Sequence, residues 1–285
     1  MDQDSRTRPY ALVTGASSGI GRELAVVLAR EGHALVLVAR RTEPLRALAE
    51  QLERAQGTPC VVVGADLGTP EGVAEVVREV EARGLGIEVL VNNAGFGLAG
   101  PVASLPAESQ LGMIDLNIRA LTALTRAFLP GMVARGRGYV LNVASTAAFL
   151  PGPLMAVYFA SKAYVLSLSN ALHEELRGQG VRVTALCPGY TETEFATRLR
   201  APAAPALRGT ARHGQRAPGG RGGLPGHEAG QGGGHPGLAQ RAERLVRAVR
   251  AAGAQAAHDP LPQREREVGP GNSQDFQAFE RRPRG

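Results

Sequence analysis

The feature that most restricts what this chain can fold into is an alternation of two kinds of segment. Residues 34–39 read ALVLVA, apolar at every position. A strand of that kind is covered on both faces, the pattern of a parallel sheet with helices on either side. The segments between such runs have helical period instead: Leu24, Val27 and Leu28 within 20–31, and Leu45, Leu48 and Leu52 within 43–56. Further strands are expected at 10–13, 60–65, 88–91, 139–143 and 181–186, and further helices at 71–83, about 107–134 and 155–177. Six strands with helical crossovers predict an α/β fold, a doubly wound parallel sheet in three α/β/α layers. In such sheets ligands bind beyond the carboxyl ends of the strands. Nearly every polar cluster considered below lies at such an end.

This pattern stops near residue 200. The division expected is a domain over 1–200 and a tail over 201–285. The tail holds 16 Gly, 9 Pro and 16 Ala and no Ile, and its Leu, Val and Phe together number ten. That is below the ~20 % at which disorder becomes the expectation. It also holds the whole charge imbalance, 13 arginines against seven acids, out of a net charge of +6. One amphipathic helix is plausible at 238–252. Three readings stand open: a flexible tail, a Gly/Arg segment that binds RNA, and the product of a shifted reading frame in a GC-rich gene. The RNA reading lacks aromatics to stack on bases, and the balanced charge of 1–200 does not support nucleic acid as a partner.

Other classes are excluded on composition. Two cysteines, Cys60 and Cys187, allow neither a disulfide scaffold nor a four-cysteine zinc site. His33 and His173 have no acidic or cysteine partners at ligand spacing and read as surface or packing residues, so no metal is expected. No apolar run reaches the ~18 residues of a membrane span. The polar start MDQDSRTRPY has no apolar segment behind it, so the expectation is a reducing, cytoplasmic location with no membrane partner.

The residues that carry chemistry begin at Thr14-Gly15-Ala16-Ser17-Ser18-Gly19-Ile20-Gly21, between a strand and a helix. Glycines there permit a tight turn whose backbone N–H groups approach a pyrophosphate at a helix N-terminus. The second strand ends in Arg40-Arg41. No acid stands there to accept the ribose hydroxyls of NAD, and Arg40 is placed to meet a 2′-phosphate, with Arg41 and Ser17 assisting, which favours NADPH. Asp66, after the third strand, is a candidate acceptor for an adenine amino group, or a plain turn aspartate. Tyr158 and Lys162 stand at i and i+4 of a helix, on one face. A cation beside a phenol lowers its pKa, making Tyr158 a candidate general acid for a carbonyl oxygen that accepts hydride. Lys162 is the only lysine in the chain. Ser145 could hydrogen-bond the same oxygen. Asn117 interrupts an apolar helix and could hold a water that relays protons through Lys162.

TGASSGIG at 14–21, Asp66, the Asn-Asn-Ala-Gly run at 92–95, Asn117, Ser145, Tyr158, Lys162 and Pro188-Gly189 fall together in an order that resembles the short-chain dehydrogenase/reductase family, of the roughly 250-residue type. The resemblance covers about residues 8–200. It implies a Rossmann fold and hydride transfer between NAD(P)(H) and an alcohol or carbonyl. It places a catalytic tetrad on Asn117, Ser145, Tyr158 and Lys162. It implies cofactor contacts from Gly15, Ser17, Ser18, Gly19, Ile20, Gly21, Asp66, Asn93, Ala94, Gly95, Pro188, Gly189 and Thr191. Lys162 would also bind the nicotinamide ribose, and Thr193 would meet the carboxamide. Members are commonly dimers or tetramers built on the long helices. A seventh strand normally follows the sixth, and nothing in 201–285 reads as one, which puts substrate closure and activity in doubt.

Phe149, Leu150, Pro151, Leu154 and Met155 lie between Ser145 and Tyr158, with Phe96 near the Asn-Asn-Ala-Gly run, so the substrate expected is an apolar ketone, secondary alcohol or acyl compound. The alternative is that several of these residues merely pack a loop. The whole reads as an NADPH-dependent carbonyl reductase or alcohol dehydrogenase. The alternative is a cofactor-binding protein whose turnover is impaired by its C-terminus.

Overall fold

A computed structural model describes residues 8–189. Six strands, β1 (Tyr10–Thr14), β2 (Ala34–Ala39), β3 (Cys60–Gly64), β4 (Ile87–Asn92), β5 (Gly138–Val143) and β6 (Val181–Leu186), form one sheet in the order β3-β2-β1-β4-β5-β6. Every pairing is parallel. The order reverses direction between β1 and β4, so the chain leaves these two neighbours in opposite directions and a crevice opens beyond their carboxyl ends. The doubly wound sheet expected from the double-faced apolar runs is therefore the one observed.

The helices are set by local chemistry and by what they cover. α1 (Gly19–Arg30) and α2 (Thr42–Gln56) pack on one face of the sheet, where Leu24, Leu28, Leu45, Leu48 and Leu52 meet Leu35 and Leu37 of β2. α2 ends at Gly57 in the left-handed conformation, whose N–H returns to the Glu53 carbonyl at 2.8 Å. α3 (Pro70–Ala82) begins with the Thr69 hydroxyl accepting from the Gly72 N–H at 3.1 Å and Pro70 in its first turn. It packs on the other face, where Val73, Val76 and Val80 join Leu124, Phe128 and Met132 over Leu12, Val36 and Leu90.

The stretch expected as one helix over about 107–134 is continuous but not uniform. α4 (Ala107–Ile114) passes into a π-helical segment, Asp115–Ala120, and then into α5 (Leu121–Ala134). A short 3₁₀ helix, Thr146–Phe149, follows β5, and α6 (Ala156–Glu175) crosses back to β6. A polar ladder runs beneath β4 and β5. The Asn92 amide donates to Thr125 Oγ1 (3.0 Å) and Asn142 Oδ1 (2.9 Å), and Asn142 donates to Ser169 Oγ (2.9 Å). These buried groups tie β4 and β5 to α5 and α6 beneath the site.

Candidate active site

The glycine turn lies where it was expected, between β1 and α1, and is braced from β4. Thr14 is fully buried, and its hydroxyl donates to the Val91 carbonyl (3.2 Å) while accepting from the N–H groups of Asn93 (2.9 Å) and Ala94 (3.0 Å). The Asn93 amide donates in turn to the carbonyls of Thr14 (2.9 Å) and Gly15 (3.3 Å). So tight is this junction that a Cβ on Gly15 would stand 2.8 Å from Asn93 Nδ2, and one on Gly21 would overlap the same atom and the Gly15 carbonyl. Gly15 also has φ +65°, which a larger residue adopts only with strain. Asn93 therefore serves as a brace for the turn, its amide spent on the protein itself.

The N-terminus of α1 fits a pyrophosphate. Its N-cap, Ser18, makes no capping side-chain hydrogen bond, and its first turn holds no acid. The partial positive charge of the helix end is thus left for an anion. Ser17, Ser18, Gly19 and Ile20 are all half-buried at this end. Arg40 and Arg41 are exposed just after β2. Asp66 is exposed after β3, one carboxylate oxygen accepting from the Gly68 N–H at 3.0 Å. The residues at the ends of β1, β2, β3 and β4 thus line one side of the sheet's carboxyl edge, where a dinucleotide would lie.

Asn117 is buried, and the π-helical segment presents its side chain to the loop after β4. Its Nδ2 donates to the Phe96 carbonyl (3.0 Å) and to Ser161 Oγ (3.0 Å), and its Oδ1 accepts from the Phe96 N–H (3.1 Å). Both amide protons are spent on the protein, so the side chain does not donate to a water. It clamps the loop carrying Ala94 and Gly95 to α6. Gly95 is held close beneath it, since a Cβ there would stand 2.9 Å from Asn117 Oδ1 and 3.6 Å from Lys162 Nζ.

Tyr158 and Lys162 lie one turn apart on α6, both buried. Lys162 Nζ donates to the Val143 carbonyl at 2.8 Å, and it lies 5.9 Å from the centre of the Tyr158 ring. Burial draws its pKa down from 10.5 to about 8, with Cys187 opposing the shift slightly. The Tyr158 pKa moves in the direction opposite to the sequence expectation. Burial raises it, and a hydrogen bond with Ser145 offsets only part of the rise. The i,i+4 spacing does bring the ammonium within 5.9 Å of the ring centre, but desolvation of the buried phenol's anion dominates. In this state Tyr158 is a neutral proton donor. Ser145 follows β5 and is half-buried, and its hydroxyl also accepts from the Ala147 N–H at 3.1 Å, which starts the 3₁₀ helix.

Tyr158, Lys162, Ser145 and Asn117 thus meet at the ends of β4 and β5 and the first turns of α6. In the segment between Ser145 and Tyr158, Phe149, Leu150 and Leu154 are exposed, while Met155 is buried against Tyr158, with Phe96 and Phe159 packed against that cluster. Pro188 and Gly189 follow β6, and the Pro188 carbonyl accepts from the Thr146 N–H at 2.9 Å. Thr191 and Thr193, and the tail, lie outside the described residues. His33 is buried, and His173 lies within 3.1 Å of the Val183 carbonyl, both as packing residues. Among the described residues no cluster could hold a metal ion.

Two contributors escaped the sequence. Thr14 was visible only as the first letter of a glycine-rich run. Ser161, which donates to the Tyr158 carbonyl at 2.7 Å and accepts from Asn117, had no signal beyond its place between two named residues.

With the geometry in place, comparisons with known proteins agree. The model of the short chain dehydrogenase family matches residues 9–204. An uncharacterized oxidoreductase of Myxococcus xanthus is 40 % identical over 185 residues, covering 65 % of this chain and 73 % of the relative. A short-chain dehydrogenase from Sphingobium yanoikuyae, solved in complex with NADPH, is 42 % identical with a TM-score of 0.63, over 67 % of this chain and 74 % of that one. A bulky-bulky ketone specific alcohol dehydrogenase from Comamonas testosteroni is 39 % identical with a TM-score of 0.61, over 65 % and 74 %.

Proposed function

The chain belongs to the short chain dehydrogenase family, an NAD(P)-dependent oxidoreductase acting on CH–OH and carbonyl groups, and on that premise we propose that it is an NADPH-dependent reductase of apolar ketones. The observation that carries this reading is the buried, neutral Tyr158 phenol, hydrogen-bonded with Ser145 and one turn from Lys162. NADPH, when bound, supplies the hydride. Tyr158 gives its proton to the carbonyl oxygen, and Ser145 holds that oxygen by a hydrogen bond. The Lys162 ammonium steadies the phenolate left behind. With a pKa drawn down to about 8, Lys162 can also release and regain a proton near neutrality. Asn117 is a positioning residue that holds the Phe96 backbone and Ser161 in place.

Ser17, Ser18, Gly19, Ile20 and the braced Gly15 and Gly21 form the pyrophosphate cradle in this reading. Asp66 takes the adenine amino group, and Arg40, with Arg41, takes the 2′-phosphate. Ala94, Gly95, Pro188, Gly189, Thr191 and Thr193 complete the cofactor's surroundings. The NADPH bound to the Sphingobium protein supports the cofactor choice, and the ketone in the name of the Comamonas enzyme supports the substrate class. In this reading the catalytic unit spans residues 1–200. Leu111 and Ile114 of α4 and Tyr164 of α6 are exposed, and they are the surface on which a homodimer or homotetramer would form. Among the described residues no helix is long and apolar enough to cross a membrane.

The test is consumption of NADPH with a panel of ketones, beside thermal melting with NADPH and NADH. NADPH should raise the melting temperature more than NADH, and Arg40→Asp should remove the difference. Tyr158→Phe should cut kcat by about 10²–10⁴-fold while the shift with NADPH persists. A shift without turnover on any carbonyl compound would favour the alternative, a cofactor-binding protein with impaired turnover.

A further inference from the structure

One turn, whose last residue Met155 packs with Tyr158, is built against local preference. Gly152-Pro153-Leu154-Met155 is closed by the Met155 N–H donating to the Gly152 carbonyl at 2.9 Å. Proline stands second in this turn, and the third residue, Leu154, has φ +65°, the only positive φ of a non-glycine residue among those described. A turn with proline second and positive φ third is of type II, and its third position calls for glycine or asparagine. A leucine there carries the left-handed penalty. Glycine is used two positions earlier for a different reason, because a Cβ at 152 would overlap the Phe159 ring.

The leucine is only half covered: the residue remains 49 % exposed, whereas the next residue, Met155, is buried against Tyr158. The backbone, by contrast, is firmly held. The Leu154 carbonyl accepts from the Gly100 N–H at 2.7 Å, linking this turn to the loop that follows β4 and the Asn-Asn-Ala-Gly run. A strained backbone held on both sides, presenting a half-exposed apolar residue immediately before the methionine that packs on the proton donor, is the form that a functional constraint takes.

We propose that Leu154 is a specificity-determining residue, held by this turn at the mouth of the site, where it favours carbonyl substrates with a bulky apolar substituent over small ones. The proposal rests on the ketone-reductase reading above. Phe149 and Leu150, exposed to 63 % and 59 %, are further apolar residues of the same segment, 145–158, left open to a substrate. A substituent that covers Leu154 gains contact from a residue already fixed in place, with little further ordering to offset.

The experiment uses the full chain and three variants, Leu154→Gly, Leu154→Asn and Leu154→Met. It reads NADPH oxidation with butyrophenone and with acetone, and the melting temperature of each protein. The ratio of kcat/KM for butyrophenone to that for acetone should fall about 10-fold in the glycine and asparagine variants, and Leu154→Met should retain it. Their melting temperatures should stay within about 2 °C of the parent or rise, because both residues accept the turn. An unchanged ratio would overturn the proposal, as would a fall in melting temperature of more than about 5 °C, which would make Leu154 a structural residue. If the parent protein consumes NADPH with neither ketone nor any other carbonyl compound, the reductase reading fails first and this proposal with it. If the parent is active and only the ratio is unmoved, the proposal alone fails.

Discussion

Thr14→Val removes one hydroxyl and almost nothing else, since valine has the same shape. That hydroxyl has three partners: the Val91 carbonyl at 3.2 Å, the Asn93 N–H at 2.9 Å and the Ala94 N–H at 3.0 Å. The two N–H groups would be left facing a methyl group. An unsatisfied donor costs about 1–3 kcal/mol, and because Asn93 and Ala94 are half-buried, water recovers part of that. The expected loss is about 2–4 kcal/mol. For a unit of this size it amounts to a fall of roughly 5–15 °C in melting temperature. Thr14→Ser keeps the hydroxyl and gives up a buried methyl, so it should lose only about 1 kcal/mol. Urea unfolding of the cofactor-free proteins measures both. The same hydroxyl holds β4 to the glycine turn, so the rise in melting temperature with NADPH should also shrink in Thr14→Val and persist in Thr14→Ser. If Thr14→Val stays within about 0.5 kcal/mol of the parent, the bracing role assigned to this hydroxyl is refuted.

Three further outcomes are expected. Lys162 has a folded-state pKa of about 8 against 10.5, so between those values the unfolded chain holds more protons than the folded one and this group's contribution to stability rises with pH; the stability difference between the parent and Lys162→Met, measured by urea unfolding at several pH values, should increase in the parent's favour from pH 8 to pH 10, and a flat difference would show that the lysine is not desolvated. Tyr158 is held above the ordinary tyrosine pKa of 10 by burial, so ultraviolet difference titration of the cofactor-free parent against Tyr158→Phe should show no phenolate from this residue below pH 10, and one appearing near neutrality would contradict the burial argument. Gly21→Ala would set a Cβ against Asn93 Nδ2 and the Gly15 carbonyl; it should lower the melting temperature and weaken NADPH binding at least 10-fold by titration calorimetry, and unaltered affinity would mean that the turn can yield without cost.

The sheet was legible because its signal is local. An unbroken ALVLVA between two segments of helical period admits few architectures, and the strands at 34–39 and 181–186 fall where they were expected, with the bounds of the others differing by no more than one residue at either end. The glycine turn was legible for the same reason, since a strand, a glycine-rich turn and a helix are contiguous in the chain. The 3₁₀ helix at Thr146–Phe149 was not, because it is started by a backbone-to-side-chain bond from Ala147 to Ser145 that leaves no periodic trace. Nor was the π-helical segment, because 107–134 has one continuous helical pattern and the extra residue per turn at Asp115–Ala120 matters only where the Asn117 amide meets Phe96 and Ser161.

What the sequence determined by itself was the doubly wound parallel sheet and the family motifs that stand at the carboxyl ends of its strands. Tertiary structure alone decided the surroundings of each motif residue. Spacing places Lys162 one turn from Tyr158, and from spacing the phenol's pKa was expected to fall. It rises, because the energy of a buried charge depends on everything that surrounds it and not only on its neighbour in the helix. That the Asn117 side chain bonds the Phe96 backbone and Ser161 could not be read from its place in an apolar helix. Leu154 was one apolar letter among five between Ser145 and Tyr158, and only its φ of +65° sets it apart from the others. Composition and periodicity report which groups are present and roughly which way they face. Desolvation, hydrogen-bond partners and backbone strain exist only once distant segments have been brought into contact.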